Sequence, residues 1–163
     1  MRLLDSLRIA YRAENLDNPE ADPGAPIQCA SVLLVDDSPE NRLVLREFLK
    51  HAPYEVEEAN NGAIAVAKVK LRTYDLIVMD LLMPEMDGFE AMRQIRRYED
   101  TRSPDERACL IALTAWALKE AERESYRCGA DLHMTKPIRR AQLLDVLGTE
   151  WARNIRRRSI AVA

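Results

Sequence analysis

Leu76-Ile77-Val78-Met79-Asp80 decides the fold. Four apolar residues run without interruption into a carboxylate, and Leu81-Leu82-Met83-Pro84-Glu85-Met86-Asp87-Gly88 follows with turn-forming residues. A continuous apolar run, unlike an alternating one, is the pattern of a parallel strand covered on both faces. Val32-Leu33-Leu34-Val35 and Leu110-Ile111-Ala112-Leu113 share it. These three runs are expected to be central strands. Tyr54 to Ala59 alternates, with Tyr54 and Val56 set against Glu55 and Glu57, and Leu132 to Met134 is short. Both are therefore placed at the edges of the sheet.

Between the runs, apolar residues recur at helical spacing: Leu45, Phe48, Leu49 and Ala52; Gly88, Ala91, Met92 and Ile95; Leu144, Leu147, Trp151 and Ile155. Leu118 to Arg127 is mostly polar, and only Ala121 and Ser125 continue a stripe from Ala117. That helix is expected to be the least firmly docked. Five strand–helix units in alternation imply an α/β, doubly wound parallel sheet with right-handed crossovers. Ahead of them, Leu3, Leu4, Leu7 and Tyr11 suggest a short amphipathic helix over Leu3 to Ala13. Glu14 to Pro26, with Pro19, Pro23, Gly24, Pro26 and four acidic residues but no Lys or Arg, reads as an extended acidic linker.

The chain has 163 residues, 47% hydrophobic and 31% charged, with 24 basic and 27 acidic side chains. This suits one domain, and a fold of this size buries roughly 70% of its unfolded surface without needing disulfides or a structural metal. The charge balance argues against electrostatically driven nucleic-acid binding. No apolar run approaches the roughly 18 residues that span a bilayer, and a signal-type N-terminus is lacking. A cytoplasmic location with no membrane partner is the expectation. Cys29, Cys109 and Cys128 are widely spaced and fit neither a disulfide framework nor a zinc site; Cys109 should simply be packed. None of the five glycines forms a Gly-x-Gly pair, which disfavours a glycine-rich nucleotide loop.

Ligands of doubly wound sheets bind beyond the carboxyl ends of the strands. There the first strand ends in Asp36-Asp37, the third in Asp80, the fourth in Thr114, and the fifth in Lys136-Pro137. Each has a structural role open to it. Asp37 or Ser38 before Pro39 could cap a helix, Asp80 the turn toward Pro84 and Thr114 the next helix, while Lys136 could be a surface lysine. Taken together, capping gives no reason for gathering three carboxylates. Unit charges about 4 Å apart repel by about 4 kcal/mol at an effective dielectric near 20. Mg²⁺ with oxygen ligands is the compensating cation that fits. A carboxylate beside Mg²⁺ with a lysine opposite suits phosphoryl acceptance as an acyl phosphate, and Asp80 is the natural acceptor.

These residues resemble the receiver domain of two-component response regulators, with wording most like the receivers of hybrid sensor kinases. The resemblance rests on Val35-Asp36-Asp37-Ser38-Pro39-Glu40-Asn41-Arg42, Val78 to Gly88, Ala112-Leu113-Thr114-Ala115 and Thr135-Lys136-Pro137-Ile138. It implies a flavodoxin-like (βα)5 sheet in the order 2-1-3-4-5. It divides the chain into an N-terminal extension, 1–29, a receiver, 30–152, and a basic tail, 153–163, that continues the last helix. It further implies that Asp80 is the phosphoacceptor. Mg²⁺ would be held by Asp37, Asp80 and the Leu82 backbone carbonyl, with Asp36 acting largely through water. Lys136 would pair with phosphoryl oxygens and precede a cis bond to Pro137, Thr114 would turn onto the phosphoryl group, and Gly88 would permit a tight turn.

The resemblance carries a switch as well: Thr114 moves toward the phosphate and an aromatic residue in the fifth strand rotates behind it. His133 stands at that position, so it is either a solvent-facing edge histidine or a rotating switch residue with scope for pH sensitivity. Leu82 and Trp116 flank the acyl phosphate and are apolar, which implies slow hydrolysis. The implied partners are a histidine kinase or histidine phosphotransfer protein and a downstream protein target, with a homodimer also compatible. Too few residues follow Ala152 for an output domain, which rarely needs fewer than roughly 50. The chain is thus expected to catalyse only its own phosphorylation and dephosphorylation. The alternatives are a phosphorylation-independent pseudo-receiver and a phosphohydrolase of the haloacid dehalogenase type. The latter uses an Asp-x-Asp pattern where Asp36-Asp37 are adjacent.

Overall fold

A computed structural model describes residues 29–115 and 118–161, with side chains as far as Asn154. The expected helix at Leu3 to Ala13, the acidic linker and Trp116 lie outside the described residues. So do the side chains of Ile155 and of the arginines that follow it. Five strands, β1 (Ala30–Val35), β2 (Tyr54–Ala59), β3 (Leu76–Asp80), β4 (Cys109–Thr114) and β5 (Leu132–Thr135), form one parallel sheet in the order β2-β1-β3-β4-β5. The continuous apolar runs are its centre, and the alternating and short segments are its edges, as the sequence pattern requires.

Five helices connect and follow the strands: α1 (Pro39–Leu49), α2 (Gly62–Leu71), α3 (Gly88–Glu99), α4 (Lys119–Arg127) and α5 (Arg140–Ala161). Side-chain alternation divides the strands between two cores. Leu33, Val35, Ile77, Met79 and Leu110 pack with Val66, Met92 and Ile95, whereas Val32, Leu34, Leu76, Val78 and Ile111 pack with Leu45, Leu49, Leu143 and Leu147. Burying each such side chain contributes about 1.5–3 kcal/mol, so β3, buried at all five positions, is anchored from both faces.

Local signals set the helix starts. Ser38 Oγ accepts from the Asn41 N–H with Pro39 in the first turn, Asn61 Oδ1 accepts from Ile64, and Asp87 Oδ1 accepts from Glu90. The capping role considered at Asp37 or Ser38 thus falls to Ser38, which leaves Asp37 available. By contrast, α4 begins at Leu118 without a side-chain cap and buries only Ser125. It is the weakly docked helix that its polar composition implies. No apolar stripe announces α2, because Ile64, Ala65, Val66, Ala67, Val69 and Leu71 surround its axis.

The pole opposite the carboxyl strand ends is fixed by buried polar groups. Arg96 donates to the carbonyls of Gly129 and Ala108 and pairs with Glu99 and Asp131. Ser31 donates through both its N–H and its hydroxyl to Asp75. Asn154 is buried and donates to the Asp75 carbonyl at 3.0 Å, so packing along α5 continues past Ala152. Among the described residues, no helix is long and apolar enough to cross a membrane.

Candidate functional site

Strand register brings the polar strand ends together. Asp80 lies beside Leu113 and Thr114 beside Thr135, so the carboxylate that ends β3 sits one step before the buried Thr114 of the neighbouring strand. Asp36 and Asp37 leave β1 on the other side of β3, and Lys136 follows β5. Its Nζ spans the gap, donating to Asp36 Oδ2 at 2.7 Å and to Asp80 Oδ2 at 2.9 Å. Residues 36, 80, 114 and 136, distant in sequence, therefore share one pole with Asp37.

Asp36 is fully buried. Its Oδ1 accepts from the Ser38 N–H at 2.9 Å and from Asn41 Nδ2 at 3.0 Å, and its Oδ2 from Asn41 at 3.1 Å as well as from Lys136. The sequence motif contains Asn41 but gives it no role; the structure makes it the side chain that orients Asp36. Asp37 is exposed. Burial raises the Asp80 carboxyl above its usual range; the bond and charge of Lys136 and the Leu82 N–H act against this, and the Asp36 charge adds to it. Burial pulls Lys136 down, but its bonds to Asp36 and Asp80 and their charges outweigh this and raise it. Lys136 is an ammonium at neutral pH.

The donor set fits a hard dication. Carboxylate oxygens from Asp36, Asp37 and Asp80 lie within 4.8 Å of one another. Three carboxylates facing one ammonium leave two negative charges, which a divalent cation with oxygen preference offsets.

Gly88 meets a more stringent requirement than turn freedom. A Cβ there would stand 2.1 Å from the Asp80 carbonyl oxygen and 2.8 Å from Leu81 Cα; only glycine lets α3 start against the end of β3. The bond from Lys136 to Pro137 is cis, as expected. Leu82 is partly exposed.

His133 is half-buried. Its Nδ1 lies 3.0 Å from Oγ of the fully buried Ser125. That hydroxyl donates its only proton to the Glu122 carbonyl at 2.7 Å, so His133 must donate from Nδ1. Burial lowers the imidazole below its ordinary range and the Glu122 charge opposes this, so the ring is neutral at pH 7. Beside Lys136, a groove of about 410 Å³ opens between α1 and the segment 136–138, lined by Asn41, Val44, Phe48, Pro137 and Ile138.

Known proteins are similar to this chain in sequence and fold. The family model for the response regulator receiver domain matches residues 32–148. The sensor protein GacS of Pseudomonas syringae is 37% identical over 129 residues, which are 78% of this chain and 14% of that protein. EvgS of Escherichia coli K12 is 39% identical over 119 residues, 73% of this chain and 9% of that protein. The chain thus spans a small fraction of these relatives' length. Among solved structures, the receiver domain of sensor histidine kinase PA1611 from Pseudomonas aeruginosa, with a magnesium ion in its active-site cleft, is 32% identical. Its TM-score is 0.68, covering 76% of this chain and 98% of that one. The Vibrio cholerae chemotaxis protein CheY4 is 34% identical with a TM-score of 0.66, covering 73% and 96%. Sequence and fold agree: the chain belongs to the response regulator receiver domain family of two-component signalling proteins.

Proposed function

We propose that this receiver accepts a phosphoryl group from a phosphohistidine onto Asp80 and relays the event by switching the binding of a partner protein. One observation carries the reading: Lys136 Nζ bridges Asp36 and Asp80 inside a three-carboxylate pole. A carboxylate oxygen of Asp80 bonds to phosphorus as the bond from phosphorus to the donor imidazole breaks. The donor ring, protonated on its other nitrogen, leaves neutral with that bond's electron pair. Lys136 stabilises the charge spread over the transferring oxygens, and the Thr114 hydroxyl hydrogen-bonds the group once it is attached. Asp37, Asp80 and the Leu82 carbonyl would hold Mg²⁺, with Asp36 assisting through water; when bound, the cation neutralises phosphoryl charge. The groove beside Lys136 suits a histidine-bearing helix of a kinase or phosphotransfer protein. His133 joins the response because phosphorylation replaces the single charge of the Asp80 carboxylate with about −1.5 to −2 charges on phosphoryl oxygens two strands away and biases the Thr114 segment next to it.

The test is incubation of the full chain with Mg²⁺ and a small-molecule phosphodonor, read by intact mass. Wild type should gain one phosphoryl group, and Asp80→Ala or removal of Mg²⁺ by chelation should abolish the gain; an unmodified wild type refutes the reading. The same sample reports persistence. Leu82 and Trp116, which the resemblance places beside the acyl phosphate, offer no acceptor to orient a hydrolytic water, so the adduct should outlast minutes; decay within seconds refutes that part alone.

A further inference from the structure

Asp37 sits on an exposed loop, and its aim depends on the backbone beneath it. Arg42, in the first turn of α1, holds that backbone. Its Nη1 donates to the carbonyl oxygens of Asp36 and Asp37, at 2.7 and 3.3 Å. Its Nε donates to Glu58 Oε2 on β2 at 3.0 Å, and Glu58 is held in turn by Arg46 at 3.2 Å. The Arg42 side chain is only 16% exposed, so water competes little for these bonds. A guanidinium presents its donors in one rigid plane. With one edge fixed to the edge strand, the other fixes two successive carbonyls, and thereby the direction in which the next side chains leave the loop. Nothing in the sequence marks this, since Arg42 and Glu58 belong to different elements.

We propose that Arg42 is a positioning residue for the divalent cation: it fastens the Asp36 and Asp37 carbonyls so that the Asp37 carboxylate points into the acidic pole, without itself touching the cation. The inference rests on the Mg²⁺ reading above. It can be separated from a simple effect of charge because the two have opposite signs. A cation near the pole repels Mg²⁺, so removing Arg42 would tighten binding if charge were its only influence. If Arg42 positions Asp37, removing it weakens binding, and outer partners of metal ligands are typically worth at least about tenfold in affinity.

The experiment measures Mg²⁺ affinity of the full chain by competition against Mn²⁺, with Mn²⁺ read by electron paramagnetic resonance, alongside the melting temperature without metal. Arg42→Ala and Arg42→Lys should each bind about tenfold more weakly, because lysine keeps the charge but cannot span two carbonyls and Glu58. Tighter binding by Arg42→Ala with unchanged Arg42→Lys overturns the proposal in favour of charge. A lowered melting temperature with wild-type affinity overturns it in favour of a structural role. Should Arg42→Ala fail to fold, Glu58→Gln decides: it keeps Arg42 but weakens its anchor, and affinity equal to wild type overturns the proposal. Wild type that binds no Mg²⁺ overturns the metal reading and this inference with it, whereas a binding wild type with unaffected variants overturns this inference alone.

Discussion

His133 shows how one side chain joins packing to titration. Its ring is half-buried beneath α4 and donates to Ser125 from Nδ1, which leaves Nε2 as the nitrogen that takes up a proton. Protonation would keep the Ser125 bond, so acid does not unlatch the ring; it charges a group whose environment favours the neutral form. Because burial depresses the folded pKa, the unfolded chain binds the proton more readily. The contribution of His133 to stability is therefore complete above its ordinary value of 6.5 and is lost as pH falls toward the depressed folded value. In an NMR titration, the histidine resonance that disappears in His133→Phe should have its midpoint below 6.5, and that variant should lose less melting temperature than wild type between pH 7.5 and 5. A midpoint at or above the ordinary value would refute this. The strand-end carboxylates were legible in the sequence because each follows an apolar run, and Lys136 because it follows a short predicted strand and precedes Pro137. The environment of His133 was not, because Ser125 reaches it only when α4 folds over β5.

Among the elements, α4 has the least to hold it. It lacks a side-chain cap, and Ser125 is its single buried residue. The bond between Ser125 and His133, the approach of Tyr126 to the same ring at 6.5 Å, and contacts of Arg93 on α3 with Cys128 at 2.8 Å and Glu124 at 3.6 Å are among its attachments to the sheet and to α3. Ser125→Ala leaves the imidazole donor without its partner, at a cost of about 1–3 kcal/mol. With so few attachments α4 is expected to open locally before the sheet does, so amides 119–127 should exchange markedly faster in that variant while those of β1 and β3 stay unchanged. Uniform acceleration through the whole chain would show instead that α4 and the core unfold together. The polar sequence of α4 foretold this weakness. The position of α2 was less legible, since a helix apolar all round gives no stripe, and only the alternation of units required it.

At the scale of the whole molecule, the five strands and both cores are assembled from residue 30 onward. Deleting residues 1–28 should therefore leave the melting temperature within about 0.5 kcal/mol equivalent of wild type and spare the proposed phosphorylation of Asp80. A large loss of stability would show that the extension belongs to the domain. The network that joins buried Arg96 and Glu99 to Asp131 lay beyond sequence reading for the same reason as the pair of Arg42 and Glu58: Asp131, like Glu58, stands on another element, and charges look like surface residues until the topology joins them. The sheet has one more consequence. Its register assigns successive residues of β3 to opposite cores, and side chains repeat every second residue. A one-residue deletion within 76–79 that kept the residues before it in register would therefore exchange inner for outer downstream, turning the Asp80 carboxylate toward the wrong side of the strand. The distance from Leu76 to Asp80 is counted in parity as well as in ångströms. Substitutions there can be tolerated when volume is conserved, but a change of length by one cannot.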